Sequence, residues 1–508
     1  MTVFYINPVN LIQTMTMALD LAVDGVSLHQ KRTAVICSHL CEHLGLDIGE
    51  VHTLLSAALM HDIGAASNTE ERRKIADPRL DMRRQEIFEH AELGYNLLRD
   101  ADFFQNDAVA IRHHHDNWDG GNPSGLSGAN IPLLARVIHL ADRVELSISK
   151  TGPMLHNCQR VQNYVRERSG ANFDPGLVDV FLKASAKECF WLDLISPDHA
   201  EILTSKISMG ITPFSIDDML RVAEIFATII DRMSRFTATH SRSVSGVAVF
   251  LAKWNGFSQN EIFMMRIAGL LHDLGKLAIP NFILEKPGPL TVEEQLIVRQ
   301  HTYFTYLTLS QINQLQTVAE WAAWHHETMD GNGYPFGLAE PSLSLGARIM
   351  AVADIFVALD ENRPYRKKLP KETIQRIMKG MVDNRKISGR IVESLFDNFS
   401  EAELVVQTME LWAMTNQVVY QDHDQTLFER GLAASAEKFQ ETAGNHGGKA
   451  EAKAEEKAEE KAGETVKADG ETEETSQETA RAAGEEAGET TGEIVPADGT
   501  EEKKLKEI

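Results

Sequence analysis

The sequence predicts an all-α protein made of two helical bundles in tandem and a disordered C-terminal tail. Apolar residues recur at helical spacing along most of the chain, and no alternating apolar and polar stretch is long enough to predict a convincing strand. One set of histidine and aspartate residues occurs twice in the same order, about 210 residues apart, which indicates an internal repeat. The composition then changes near residue 441.

Length and charge limit the classes of protein to consider. A chain of 508 residues is too long for one compact core, so two domains of about 200 residues and a tail are expected. The chain has no apolar run of about 18 residues and no basic cluster at its N-terminus, which predicts a soluble cytoplasmic protein without a membrane span. The net charge of −24 argues against a surface for long nucleic acids, because such a surface needs a basic stripe.

The first predicted domain covers residues 1–205. Apolar helices are expected from Val51 to Met60 and from Ile131 to Leu146, and Pro175 stands early in the first turn of a final helix. Residues 206–214 form the predicted linker.

The second predicted domain covers residues 215–440 and is also helical. Thr291 and Glu294 form a capping box that predicts the start of one of its helices. Residues 441–508 contain no aromatic residue and are rich in Ala, Glu, Lys, Gly and Thr. Such a segment cannot bury enough apolar surface to offset its ordering entropy, so it is predicted to be a disordered acidic tail.

The chemistry of the chain is concentrated in the repeated histidine and aspartate sets. The later set comprises His240, His272, Asp273, His301, His325, His326 and Asp354. The earlier set comprises His29, His61, Asp62, His90, His114, His115 and Asp142. In both sets the first four histidine positions are separated by 32, 29 and 24 residues. Core packing does not require the same residue types at repeated spacings, whereas imidazole and carboxylate bind Fe, Mn, Zn or Ni. Seven donors exceed the needs of one ion, so the later set predicts a metal pair bridged by Asp273 and a phosphoester hydrolase.

The later half of the chain resembles the HD-GYP domain, a subgroup of the HD-type metal-dependent phosphohydrolases. The matching motifs, which follow the order of the family, are His272-Asp273-Leu-Gly-Lys276, His325-His326-Glu327, Asp330-Gly331-Asn-Gly333-Tyr334-Pro335, Ala353-Asp354 and Arg363-Pro-Tyr365-Arg366. The resemblance implies an all-helical phosphodiesterase that hydrolyses cyclic di-GMP to the linear dinucleotide, to GMP or to both. Some members of the family prefer cyclic GMP-AMP.

The resemblance also implies roles for individual residues. The later set would hold two divalent transition-metal ions, iron or manganese, bridged by Asp273, and a hydroxide activated by both ions would attack phosphorus. Lys276, Arg363 and Arg366 would contact phosphate oxygens, and Tyr334 would shape the nucleotide pocket. Either Lys276 or a metal-bound water would protonate the leaving ribose oxygen.

The earlier half looks like a diverged copy of the same domain. It keeps all seven proposed ligands, but Ala65 stands at the position of Lys276, and Thr151-Gly-Pro-Met154 stands in place of the later arginine pair. We therefore expect a first repeat that binds metal and is regulatory or weakly active. Family members with a third metal have a glutamate four residues before the first histidine; here those positions hold Gly25 and Phe236, so a third ion is not expected.

Two other functions stay open at this point. Another HD-type nucleotide phosphohydrolase would cleave mononucleotides and would not depend on Tyr334. A non-catalytic protein would bind the nucleotide and signal through a partner. The sequence also leaves open a homo-oligomer and a protein partner for the tail.

Overall fold

The computed structural model describes residues 3–6, 12, 14, 16–17, 28–68, 71, 74–75, 85–149, 151–206, 212–233, 239–361 and 367–416. The predicted tail, Gly25, Phe236, Arg363 and Arg366 all lie outside the described residues. Both repeats belong to one unit, Met1–Gln421. Within the described ranges, no helix has the length and apolar character needed to cross a membrane.

The first repeat is helical throughout its described interior. Its helices are α1 (His29–Cys41), α2 (Ile48–Met60), α3 (Gln85–Leu98), α4 (Gln105–Arg112), α5 (Leu133–Ser147), α6 (Cys158–Glu167), α7 (Pro175–Ala184), α8 (Glu188–Asp193) and α9 (His199–Lys206). Helix α1 packs against α2 and α5, and α3 packs against α4 and the 3-10 turn Ile63–Ala65. The predicted helices ending near Met60 and Leu146 are confirmed, as is the place of Pro175 at the start of α7.

The second repeat reproduces this arrangement. Its helices are α10 (Ile216–Arg232), α11 (His240–Trp254), α12 (Gln259–Leu271), α13 (Asn281–Leu284), α14 (Val292–Leu309), α15 (Gln316–Ala323), α16 (Leu345–Asp360), α17 (Lys371–Asp383), α18 (Gly389–Asp397) and α19 (Phe399–Asn416). Helix α11 packs against α12 and α16, and α14 packs against α15 and the 3-10 turn Leu274–Ala278. The all-α prediction is thus confirmed, and so is the capping box of Thr291 and Glu294 at the start of α14.

One pair of short strands was not predicted. Strand β1 (Val3–Ile6) pairs antiparallel with β2 (Thr212–Ser215), which leads directly into α10. Four residues are too few for an alternating pattern to stand out, and the two partners flank the whole first repeat in sequence. The strand β2 overlaps the predicted linker, and the domain limits at 205 and 215 stay a prediction.

The most buried helix of each repeat carries its last predicted ligand. All residues from Val137 to Ser147 on α5 are buried, as are all residues from Ile349 to Asp360 on α16. A helix that is buried on every side lies in the centre of a bundle. The fold therefore holds Asp142 and Asp354 in the two hydrophobic cores.

Candidate metal centre

The second repeat brings all seven of its predicted ligands together. They come from the start of α11, the end of α12, the middle of α14, the turn after α15 and the middle of α16. All are buried except His326, which is half-buried. Two groups of three have ligand atoms within 4.8 Å of one another: His240, His272 and Asp273, and His301, His325 and His326. Their role as ligands stays a prediction, and their convergence is a property of the fold.

The spacing in the first group fits one shared ion. The Nε2 atom of His240 lies 3.2 Å from Oδ1 of Asp354 and 3.8 Å from Oδ2 of Asp273. The Nε2 atom of His272 lies 3.3 Å from the same Asp273 oxygen. Donors placed tetrahedrally about 2.1 Å from a metal lie about 3.4 Å apart. His272 Nε2 is also buried without a hydrogen-bond partner, as expected for an atom oriented toward a metal.

Asp273 faces both groups. Its Oδ1 atom lies 3.5 Å from Nε2 of His301, which in turn lies 3.3 Å from Nε2 of His325. One carboxylate thus directs a different oxygen at each group, which is the geometry that a bridging ligand requires. The residues fit the predicted metal pair.

Backbone carbonyls orient three of the imidazoles. Nδ1 of His272 donates to Gly269 O at 2.9 Å, and His301 and His325 make the same contact with the carbonyl three residues earlier, each at 2.6 Å. This leaves Nε2 of each ring directed toward the cluster. A second hydrogen bond of this kind is typical of metal-binding histidines, because it selects the tautomer and the ring orientation.

Burial and neighbouring charge set the protonation of the cluster. Burial lowers the pKa of His301 to about 3 and also lowers the pKa of His325 and His326, so these rings stay neutral, the form that binds a metal. Burial would raise the pKa of Asp273, but His272 and Lys276 hold it well below its usual range. The carboxylate is therefore ionised at neutral pH.

A glutamate that the sequence analysis missed holds the first histidine of each repeat. Nδ1 of His240 lies 3.1 Å from Oε2 of Glu361, and Nδ1 of His29 lies 2.7 Å from Oε2 of Glu145. Burial would lower the pKa of His240, but Glu361 and Asp354 outweigh it and raise the pKa to about 10. This ring must therefore lose a proton before its Nε2 atom can bind a metal.

The two glutamates do not stand at equivalent positions of the repeats, so a comparison of residue spacing does not find them. Asp142 precedes Glu145 by three residues, whereas Asp354 precedes Glu361 by seven. Positions i, i+3 and i+7 share one face of a helix, so each glutamate can reach the first histidine of its own repeat, from successive turns. A search for acidic residues on the helical face of the last aspartate would have found both.

Lys276 and Tyr334 lie beside the second-repeat cluster. The Lys276 ammonium donates to Oδ2 of Asp273 at 2.5 Å, and its side chain is 23% exposed. The Tyr334 ring stacks on His326 with 4.9 Å between ring centroids and 30° between planes. The predicted contacts of Arg363 and Arg366 lie outside the described residues.

A buried carboxylate shapes the loop of residues 330–338, called the Tyr334 loop. Glu327 is 2% exposed and accepts hydrogen bonds from the backbone N–H groups of Phe336, Gly337 and Leu338 at 2.7, 3.2 and 2.9 Å. Glu327 thereby ties the residues after Tyr334 back to the helix end that carries the histidine pair.

Glu327→Ala is expected to loosen this loop while the metal cluster stays in place. The change leaves three backbone N–H groups without their acceptor, at a cost of roughly 2–4 kcal/mol in folding free energy. Hydrogen exchange of peptides that contain residues 334–340 should speed up, with metal content unchanged. Glu340→Ala, which removes a partly exposed carboxylate of the same region, is the control. Unchanged exchange in Glu327→Ala would contradict this role.

The first repeat also brings its seven predicted ligands together. Nε2 of His29 lies 3.3 Å from Oδ1 of Asp142, and Nε2 of His61 lies 3.3 Å from Oδ2 of Asp62. The other oxygen of Asp62 lies 3.3 Å from Nε2 of His90. The second group of this repeat is Asp62, His90, His114 and His115, with ligand atoms within 4.8 Å. Both repeats therefore keep a donor set that fits metal.

The surroundings of the first cluster differ from those of the second. Ala65 is fully buried where the second repeat has Lys276. The first cluster instead has a guanidinium beside its last aspartate: buried Arg143 donates to Oδ2 of Asp142 through Nε at 2.8 Å and Nη2 at 2.7 Å. Asn122 closes the loop that corresponds to the Tyr334 loop. Its side-chain amide accepts a hydrogen bond from the backbone N–H of Asn117 and donates one to the carbonyl oxygen of the same residue. The missing lysine is visible in the sequence, whereas Arg143 occupies no motif position.

Comparisons with known proteins divide the chain in the same way. Models of the HD domain match residues 26–147 and 224–391. A 3′3′-cGAMP-specific phosphodiesterase of Vibrio cholerae is 30% identical over 392 residues, which cover 75% of this chain and 88% of that protein. The chain belongs to the HD-GYP family. The resemblance carried by the motifs is thus confirmed, and this HD-GYP protein is a phosphodiesterase with two HD domains.

Other HD-GYP proteins match either part or most of this chain. A cyclic di-GMP phosphodiesterase of Thermotoga maritima is 39% identical over 158 residues, 31% of this chain and 43% of that protein. The crystal structure of a cyclic GMP-AMP-specific phosphodiesterase of Vibrio cholerae matches with a TM-score of 0.56 and 25% identity. That match covers 77% of this HD-GYP chain and 97% of the other.

Proposed function

We propose that the second repeat hydrolyses a cyclic dinucleotide to the linear dinucleotide, to mononucleotide or to both. The observation that carries this proposal is the convergence of six histidine and aspartate side chains around buried Asp273, with Lys276 and Tyr334 beside them. Named relatives act on 3′3′-cGAMP or on cyclic di-GMP. The relative that is 30% identical over 392 residues is specific for 3′3′-cGAMP, so this hybrid is proposed together with cyclic di-GMP, the substrate implied by the motifs.

The site divides the chemistry between metal and protein. Two ions, iron or manganese, would supply Lewis acidity and a nucleophile from water at neutral pH. The seven ligands hold their donor atoms in place, and neutral His301, His325 and His326 need release no proton first. Lys276 lies on the partly exposed side of Asp273, where its ammonium can reach a phosphate oxygen or protonate the leaving ribose oxygen.

The first repeat is proposed to bind metal and to be regulatory or weakly active. Ala65 leaves it without an ammonium at the position of Lys276, and Asn122 occupies the loop where the second repeat has Tyr334. Arg143 is tied to Asp142 and buried, so it is poorly placed to follow a reacting phosphate. The first repeat thus keeps the seven proposed ligands and lacks the proposed substrate contacts of Lys276 and Tyr334.

The test is turnover by purified full-length protein loaded with Mn or Fe(II). We expect cyclic di-GMP, 3′3′-cGAMP or both to give the linear dinucleotide or a mononucleotide, identified by mass spectrometry. Cleavage of mononucleotides alone would indicate another HD-type phosphohydrolase, and tight binding without turnover would indicate a signalling protein. Metal analysis should give about four ions per chain if both repeats load and about two if one does.

A further inference from the structure

An exposed aromatic ring on α14 lies next to another in the Tyr334 loop. Tyr303 is 46% exposed and Phe336 is 42% exposed, and their ring centroids lie 6.3 Å apart. Arg299, one helical turn before Tyr303, is exposed too, and its guanidinium lies 4.3 Å from the centroid of the Tyr334 ring. Large aromatic side chains are normally buried, so neighbouring exposed ones beside a cation indicate a binding surface.

This surface is connected to the candidate active site. Arg299 lies against Tyr334, Tyr334 stacks on His326, and the His326 ring lies 4.2 Å from that of His325. Rings in contact therefore lead from the buried ligand cluster to the exposed guanidinium. A ligand with its phosphate at the cluster can place an attached group on this surface.

We propose that Arg299, Tyr303 and Phe336 form a purine-binding subsite, which holds the base of a nucleotide next to the scissile phosphate. Every base has a flat π-face that stacks on aromatic rings and on guanidinium planes. Arginine can also donate two hydrogen bonds to O6 and N7 of guanine, a pair that adenine cannot accept. The subsite rests on the proposed hydrolysis of a cyclic dinucleotide and adds a preference for guanine over adenine at this position.

The first repeat lacks this surface. The shared spacing places Phe88 at the position of Arg299 and Glu92 at that of Tyr303, and Ser124 follows Pro123 where Phe336 follows Pro335. Glu92 is engaged by Arg112, whose Nε donates to it at 2.8 Å. At these three positions, the combination of a guanidinium with two aromatic rings therefore belongs to the repeat that is proposed to be catalytic.

The test compares Arg299→Ala and Arg299→Lys with Leu296→Ala, which removes another exposed side chain of the same helix. Steady-state kinetics of the metal-loaded full chain are measured on cyclic di-GMP, 3′3′-cGAMP, cyclic di-AMP and bis(p-nitrophenyl) phosphate, which carries no base. Arg299→Ala should raise KM for the guanine-containing substrates, cyclic di-GMP and 3′3′-cGAMP, by about ten- to a hundredfold, with kcat little changed. Lysine should restore only part of this affinity, because an ammonium cannot stack or donate in the same planar manner.

Tyr303→Ala combined with Phe336→Ala should raise KM for every cyclic dinucleotide. An unchanged KM in Arg299→Ala, or an equal loss on bis(p-nitrophenyl) phosphate, would overturn the subsite while leaving the proposed function intact. If the wild-type protein hydrolyses bis(p-nitrophenyl) phosphate but neither binds nor cleaves any cyclic dinucleotide, the proposed function fails and the subsite fails with it.

Discussion

Asp273→Ala should abolish hydrolysis by the full-length protein and remove metal from the second repeat. Asp273 has an oxygen within 3.5 Å of a histidine in each of the two ligand groups. Its loss also leaves Lys276 without its 2.5 Å partner, so positive charge stays where metal must enter. We expect a fall in kcat of roughly a thousandfold or more, together with a metal content lower by about two ions per chain.

Asp62→Ala is the matched control, because the first repeat places Asp62 in the same position between two groups of histidines. This variant should lose metal from the first repeat and keep most of the turnover. Metal analysis and initial rates on the same preparations make the comparison. Similar losses of activity in both variants would contradict the division of roles between the repeats.

The ligand sets could be predicted from sequence because, in two copies of one helical fold, equal sequence intervals place residues at equivalent positions. Equal intervals of 32, 29 and 24 residues place equivalent histidines at equivalent points of two bundles, whatever the side chains between them. The structure brings all fourteen predicted ligands into two clusters for this reason. The all-α class followed from a different pattern, the helical spacing of the apolar residues.

The supporting residues could not be predicted in this way. Glu327 bonds to backbone N–H groups, which every residue but proline has, so its partners leave no pattern in the sequence. Arg299 contacts Tyr334 only because the loop folds back onto α14. Arg143 neutralises the aspartate next to it, and no motif marks that pair. Contacts that depend on loop path or on neighbouring charge become visible only in the folded chain.

Gly275→Ala should destabilise the second repeat and separate His301 from the other ligands. A Cβ atom at Gly275 would lie 1.9 Å from the carbonyl oxygen of His301 and 2.7 Å from its carbonyl carbon. Thr305 holds the turn and α14 together at this point, since its hydroxyl accepts from Gly275 N at 2.9 Å and donates to His272 O at 3.1 Å. The backbone must therefore move by about 1 Å, at a cost of roughly 3 kcal/mol or more.

Two glycines of the same chain supply the controls for Gly275→Ala. Gly64 is its counterpart in the first repeat, where a Cβ would lie 2.0 Å from His90 O, so Gly64→Ala should lower stability and leave most of the turnover. Gly380 lies in α17 with nothing within 4 Å of its added Cβ, so Gly380→Ala should stabilise the helix by about 0.5–1 kcal/mol. Thermal unfolding, metal content and rate are measured for all three. We expect the activity of Gly275→Ala to fall together with its metal content, because the cluster depends on the close contact between the turn and α14. A Gly275→Ala protein with wild-type melting and metal content would show that this contact does not position His301.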